Sequence, residues 1–180
     1  LKNYWEVQVF TPIFSTPAFG YNTDKNIEHK IIFCWGTVDG LTVCLNEKGS
    51  LVWKIQSDDN GSIIAPIVSS SKHKAFIICS QTGNICLRQM NCGSTLWTLN
   101  NSGNLFSSPH IIMSVVVSMM VIFNTSGALF IVSIDDGRIL AHESKLELSE
   151  TFSTPITVGD CIFIGSRDNY LHCIRVSNCN

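Results

Sequence analysis

A chain of 180 residues that is 45% hydrophobic and only 14% charged is too apolar to stay unfolded, because disorder requires low hydrophobicity and high charge. The 12 basic and 14 acidic residues leave a net charge of -2, so no basic excess exists to neutralise phosphates and nucleic acid is not an expected partner. The longest apolar run, Ile111–Phe123, is broken by Ser114 and Ser118; it falls short of the roughly 20 residues a spanning helix needs, so no membrane role is expected either.

In chain order, the first residue is Leu1 rather than methionine, which suggests a start inside a longer protein with further blades and domains upstream. Tyr4–Val9 has strand character and carries Trp5. Four short β-type runs follow at Phe14–Phe19, Lys30–Trp35, Leu41–Leu45 and Leu51–Ile55. Asp39-Gly40 and Asn46-Glu47-Lys48-Gly49 separate the later runs, with the residue types that tight hairpins select. The sequence then restarts at Ile64-Ala65-Pro66, with turns at Thr82-Gly83 and Gly93. A third start is Phe106-Ser107-Ser108-Pro109, with turns at Ser126-Gly127 and Asp135-Asp136-Gly137. Glu143–Ser149 reads as a loop or one short turn of helix. The last start is Phe152-Ser153-Thr154-Pro155, with a turn at Asp168-Asn169 and a third strand over Tyr170–Val176. A fourth strand of that unit does not fit before Asn180.

Three markers share one period. Pro17, Pro66, Pro109 and Pro155 lie 49, 43 and 46 residues apart. Gly49, Gly93 and Gly137 lie 44 apart, and Trp53 and Trp97 each follow such a glycine by four residues. Trp5 fits the same place one unit earlier, and Ala141 holds it in the third unit. A four-strand repeat of about 45 residues is what a propeller blade looks like. The predicted fold is therefore all-β: a partial β-propeller of about four four-stranded blades, with repeats roughly over 11–56, 62–99, 104–142 and 150–180. One blade is apolar on both faces and cannot cover them alone, so neighbours must. The repeat positions Trp5, Pro17, Gly49, Trp53, Pro66, Gly93, Trp97, Pro109, Gly137 and Pro155 are structural candidates. Each proline belongs at a strand start or edge because it lacks an N–H. Each tryptophan is expected to pack on the adjacent blade.

Cys34, Cys44, Cys79, Cys86, Cys92, Cys161, Cys173 and Cys179 are eight cysteines, several inside apolar runs. There a free thiol serves as a small buried hydrophobe, and the expectation is reduced thiols in a cytoplasmic setting. The N-x-S/T patterns at Asn60, Asn100 and Asn124 are short enough to arise by chance.

Lys48-Gly49-Ser50-Leu51-Val52-Trp53 and Cys92-Gly93-Ser94-Thr95-Leu96-Trp97 resemble the PQQ-like repeat of quinoprotein-like propellers. The Phe-Ser-Thr/Ser-Pro starts, with Ile164-Gly165-Ser166-Arg167-Asp168-Asn169-Tyr170-Leu171-His172-Cys173, are similar to the C-terminal propeller of the β-alanine-activating, acyl-CoA synthetase-like family. The resemblance covers nearly the whole chain. It implies upstream adenylate-forming and phosphopantetheine carrier domains, with ATP and phosphopantetheine acting there in an acid–thiol ligase of fatty-acid-metabolism type. No phosphate loop or carrier serine motif is present here. The propeller would be an accessory domain that contacts the other blades or domains and presents an acceptor protein. Ala141, the region Ile111–Phe123 and the long connection around Glu28–Lys30 depart from the pattern.

The repeat type also raises a quinoprotein oxidoreductase as the alternative. Such enzymes hold a quinone with Ca²⁺ and resemble one another in a vicinal cysteine pair, which this sequence lacks. The candidate ligands Asp39, Asp135 and Asp168 stand in turns, where Asp is common anyway. The spacings Cys86/Cys92 and Cys173/Cys179 do not make a zinc site, and adjacent His172 and Cys173 point to opposite faces of a strand. His29, His73, His110, His142 and His172 lack a nucleophile-elbow context. Arg167 and Asp168 form the best exposed charged pair. No catalytic, cofactor-binding or metal-binding residue is assigned, and the reading is a non-catalytic interaction or scaffold module; a stand-alone assembly scaffold is a third possibility.

Overall fold

The computed structural model describes residues 4–21, 30–100, 102–113, 118–144 and 146–176. His29, Cys179, most of the connection around Glu28–Lys30, the link between the first two strands of the third unit, and both chain ends lie outside them. The first sheet contains β1 (Ala18–Tyr21), β2 (Ile31–Gly36), β3 (Leu41–Asn46) and β4 (Leu51–Gln56). The second contains β5 (Val68–Ser70), β6 (Ala75–Cys79), β7 (Ile85–Gln89) and β8 (Thr95–Leu99). The third contains β9 (His110–Met113), β10 (Ser118–Phe123), β11 (Leu129–Ser133) and β12 (Ile139–Glu143). The last, of three strands, contains β13 (Ile156–Val158), β14 (Cys161–Gly165) and β15 (Leu171–Arg175).

Every sheet is an antiparallel meander in chain order, as short hairpin links require. The first strands meet across sheets, β1 beside β5 and β9 beside β13, which puts them innermost. One start differs from the sequence expectation. The β-type run Phe14–Phe19 predicts a first strand there, but pairing begins at Ala18, directly after Pro17. Pro109 and Pro155 likewise stand just before β9 and β13. A proline supplies no ladder donor, so the strand starts after it. Tyr4–Val9 makes no strand pairing, and the described part of Glu143–Ser149 beyond β12 is loop.

The core lies between sheets. A strand's side chains alternate faces, and the middle strands use both. On β6, Phe76 and Ile78 join Ile32, Cys34 and Trp53 of the first sheet. Ala75, Ile77 and Cys79 on the opposite side join Met120, Ile122 and Phe130 of the third. On β10, Met120 and Ile122 face back, while Val121 and Phe123 face Ile162 and Ile164 of the last sheet. Continuous apolar strands are thus buried on both sides, and β6 and β11 contain no exposed residue.

Candidate functional site

The repeated tryptophans sit at the outer part of each sheet-to-sheet contact. Trp53 on β4 is 7% exposed, and its Nε1 donates to the Met90 carbonyl at 2.8 Å. Its ring lies on Gly93, where an added Cβ would come 2.8 Å from the indole. Trp97 on β8 repeats this, donating to the Ile134 carbonyl at 2.8 Å and lying on Gly137. Trp5 lies on Gly49 and donates to the Glu47 carbonyl at 3.1 Å, although it is 39% exposed. The three glycines have φ of 77, 72 and 74°, a left-handed backbone that disfavours any side chain. Glycine is therefore needed twice over, for the turn and for the approach of the ring.

The four prolines behave less uniformly. Pro109 and Pro155 are buried, Pro66 is half-buried and Pro17 is exposed. The serine two residues ahead of three of them has a definite task. Ser15 Oγ accepts from Gly36 N at 2.8 Å and donates to Gly36 O at 3.0 Å. Ser153 does the same with Gly165, at 3.1 and 2.9 Å. Ser107 donates to the Phe123 carbonyl at 3.4 Å. These hydroxyls close the end of the second strand onto the incoming first strand.

Polar side chains form clamps. Asp59, between the first two sheets, accepts from Ser57 Oγ and Ser80 Oγ, each at 2.6 Å, from Gly61 N at 3.0 Å, and from Thr82. Burial alone would raise its carboxyl, but these donors hold it far below the usual carboxylate range. A Ser–His–Asp chain exists that the sequence did not disclose. Ser70 Oγ is 2.8 Å from His73 Nδ1, and His73 Nε2 is 2.7 Å from Asp135 Oδ1. Lys72 reaches the same carboxylate oxygen at 3.1 Å and Ser118 at 3.0 Å. Ser70 is 2% exposed, so no substrate carbonyl can approach it. The chain ties the second sheet to the third and is not a nucleophilic site.

The other aspartates named above are held separately, in different sheets. Asp39 accepts from Thr37 and Thr11, and Asp168 accepts from Tyr170 N at 2.9 Å and pairs with His172 at 2.8 Å. Arg167 pairs with Glu150 at 2.6 Å and lies over the Phe152 ring, so its partner is Glu150 rather than Asp168. Among the described residues no group of three His, Cys, Asp or Glu could hold a metal ion, and seven cysteines are free thiols. Cys34 stands opposite Cys44 across β2 and β3; burial, then the hydrogen bond with Cys44, push the Cys34 thiol up. The Asn124 side chain is committed internally to Ser102 O, Ala128 N and Ser126 Oγ.

The outer face of the last sheet is apolar and open, whereas the central outward residues of the first sheet are buried. On the last sheet a groove of about 510 Å³ is lined by Ile156, Val158, Phe163 and Leu171. Val158 is 65% and Leu171 74% exposed. On the first sheet the outward residues Trp35, Val43 and Leu45 are covered in part by Val9. The Trp35 indole N–H there is buried without a hydrogen-bond partner. Such an orphan donor costs stability unless an acceptor arrives.

No family model matches the chain. The β-alanine-activating enzyme of Danio rerio is 26% identical over 115 residues, which is 61% of this chain and 10% of that protein. That of Homo sapiens is 25% identical over 145 residues, 78% of this chain and 13% of that protein. The chain thus spans about a tenth of the length of the curated relatives it matches. Among solved structures, BamB from Moraxella catarrhalis superposes with a TM-score of 0.70 at 17% identity, over 96% of this chain and 49% of that one. The computationally designed Ika4 protein superposes with a TM-score of 0.68 at 12% identity, over 93% of each chain. The chain has an all-β fold of the propeller type, with distant sequence similarity to β-alanine-activating enzymes.

Proposed function

We propose that the chain is a non-catalytic interaction module, an arc of PQQ-like blades within a longer ATP-dependent acid–thiol ligase of the β-alanine-activating kind. The observation that carries this reading is the contrast between faces. The inner sheets are covered on both sides, while the last sheet exposes Val158 and Leu171 and the first holds the buried Trp35 indole N–H without a partner. Apolar surface of that kind marks an interaction site. Further blades of the same polypeptide would cover it, and the closed module would present an acceptor protein to the carrier arm. ATP and phosphopantetheine would act on other domains. The distant similarity to β-alanine-activating enzymes supports that parent.

The test is deletion of these residues from the protein that carries them. ATP–pyrophosphate exchange with β-alanine should be unchanged, while transfer from the loaded carrier to its acceptor should fall. Loss of the exchange reaction itself would contradict an accessory role.

A further inference from the structure

Tyr4–Val9 makes no strand pairing, yet it has the alternation of a strand. Trp5 lies on Gly49, Val7 borders the same groove as Val43 and Leu45, and Val9 packs against the cluster of Trp35, Val43 and Leu45. Residues two apart thus face the first sheet, as strand geometry requires. Trp5 also repeats the seat of the later tryptophans. Trp53 of β4 lies on Gly93 of the second sheet, and Trp97 of β8 on Gly137 of the third. In both cases the ring comes from the fourth strand of the preceding sheet. The segment around Trp5 therefore holds the place of a fourth strand, for a sheet in front of the first.

The other end has the converse gap. β3, β7 and β11 each pair with a fourth strand, whereas β15 is the edge of its sheet among the described residues. Ile162 and Ile164 face the third sheet, so Phe163 points the other way, with Ile156 and Cys173 opposite it on β13 and β15. Ile156, Val158 and Leu171 on this end sheet are each more than half exposed. The face is the counterpart of the one that the first sheet lays on the second. A strand lacking a sheet and a sheet lacking a strand thus stand at opposite ends of one arc, with two sheets between them.

We propose that two copies of the chain close on each other head to tail. Each lays Tyr4–Val9 along β15 of the other, and its last sheet on the back of the other's first. The register follows from the repeat. Trp53 stands opposite Cys44 and Trp97 opposite Leu87, four residues after Gly40 and Gly83, turn residues of positive φ. Cys173 stands four residues after Asn169, whose φ is 70°. Trp5 is then opposite Cys173 of the second copy and Val7 opposite Leu171, with all four side chains on the docking face. A second copy fits better than an unrelated partner because this one sequence supplies both the loose strand and the open edge. The arc superposes on about half of the BamB chain, so two arcs bring the strands for one ring of that size. A head-to-tail contact made twice about a two-fold axis leaves no open edge. Blades of a longer polypeptide would use the same two surfaces, so they and the second copy exclude one another. The inference rests on the repeat geometry and not on the ligase reading.

The experiment is sedimentation velocity of the 180-residue chain over a dilution series, with disulfide trapping on a mixture of Val7→Cys and Leu171→Cys chains. A monomer–dimer equilibrium without larger species is expected. Oxidation of the mixture should link the two introduced thiols between chains, as peptide mass mapping would show. Amide exchange of β15 and of residues 5–9 should slow together as the dimer forms, while the dilute monomer keeps β15 open. A monomer at every concentration would overturn the proposal. Trimers and longer oligomers would overturn closure into a ring. A dimer whose trapped thiols are two Leu171→Cys positions, or none, would overturn the head-to-tail register. Val7 and Leu171 are 42% and 74% exposed, so both variants should fold, and the wild-type sedimentation and exchange decide the matter if one does not.

Discussion

Truncating Trp53 to alanine should be among the most damaging single changes. The ring is 7% exposed and packs with Ile32, Cys34, Phe76 and Met90 across the first and second sheets. Removing a buried ring of this size costs about 3–5 kcal/mol, against a net stability of roughly 5–15 kcal/mol for a domain. Part of that cost is the Met90 carbonyl, which loses its donor at 2.8 Å. Trp53→Phe keeps an aromatic ring and loses the N–H, so it should cost about 1–2 kcal/mol. Trp5→Ala should cost about 1 kcal/mol, because water already covers much of that ring. Trp97→Ala, half-buried, should fall between. Urea unfolding followed by far-UV circular dichroism gives the four values without depending on tryptophan emission. If Trp53→Ala cost no more than Trp5→Ala, the assignment of inter-sheet docking to these rings would be wrong.

Acid should loosen the contact between the second and third sheets. The hydrogen bond from His73, and then Lys72, depress the Asp135 carboxyl below its ordinary value of 3.8. A depressed carboxylate stabilises the fold above its unfolded pKa and loses that contribution as pH falls through the folded value. The Tm difference between wild type and Asp135→Asn should therefore shrink as pH drops below about 4, and a constant difference would contradict the clamp. Asp59→Ala should cost about 1–2 kcal/mol in urea unfolding at neutral pH, since the Ser57, Ser80 and Thr82 hydroxyls lose their acceptor while water replaces part of it. A neutral result would mean that water replaces all of it. Val158→Lys with Leu171→Lys should reduce self-association in sedimentation velocity and leave Tm unchanged, because both side chains are more than half exposed. Unchanged sedimentation would show that this face is not adhesive.

Features repeated along the chain were legible in the sequence. Gly49, Gly93 and Gly137 recur at a fixed interval because one turn geometry recurs, and the tryptophans follow them because a ring on each sheet needs a bare backbone on the next. Strand positions followed from apolar runs between turn residues, except where Pro17 delayed the start of β1 by removing a donor. Contacts between turns of different sheets were not legible. His73 and Asp135 are 62 residues apart, and nothing local to either announces the other. Asp59 stands in a connection that reads as ordinary loop, and its donors Ser80 and Thr82 come from the next sheet's hairpin. Ala141 was visible as a departure from the repeat, but the groove of about 540 Å³ beside it is walled also by Cys161 and Ile162 of the last sheet, and nothing near Ala141 announces them.

Amide hydrogen exchange of the 180-residue chain, resolved by strand, tests mutual covering of the sheets most directly. The account predicts slowest exchange in β6, β7, β10 and β11, whose sheets have neighbours on both sides, and fast local opening in β1, β13 and β15 on the end sheets. Protection of β13 and β15 equal to that of β6 and β10 would contradict it.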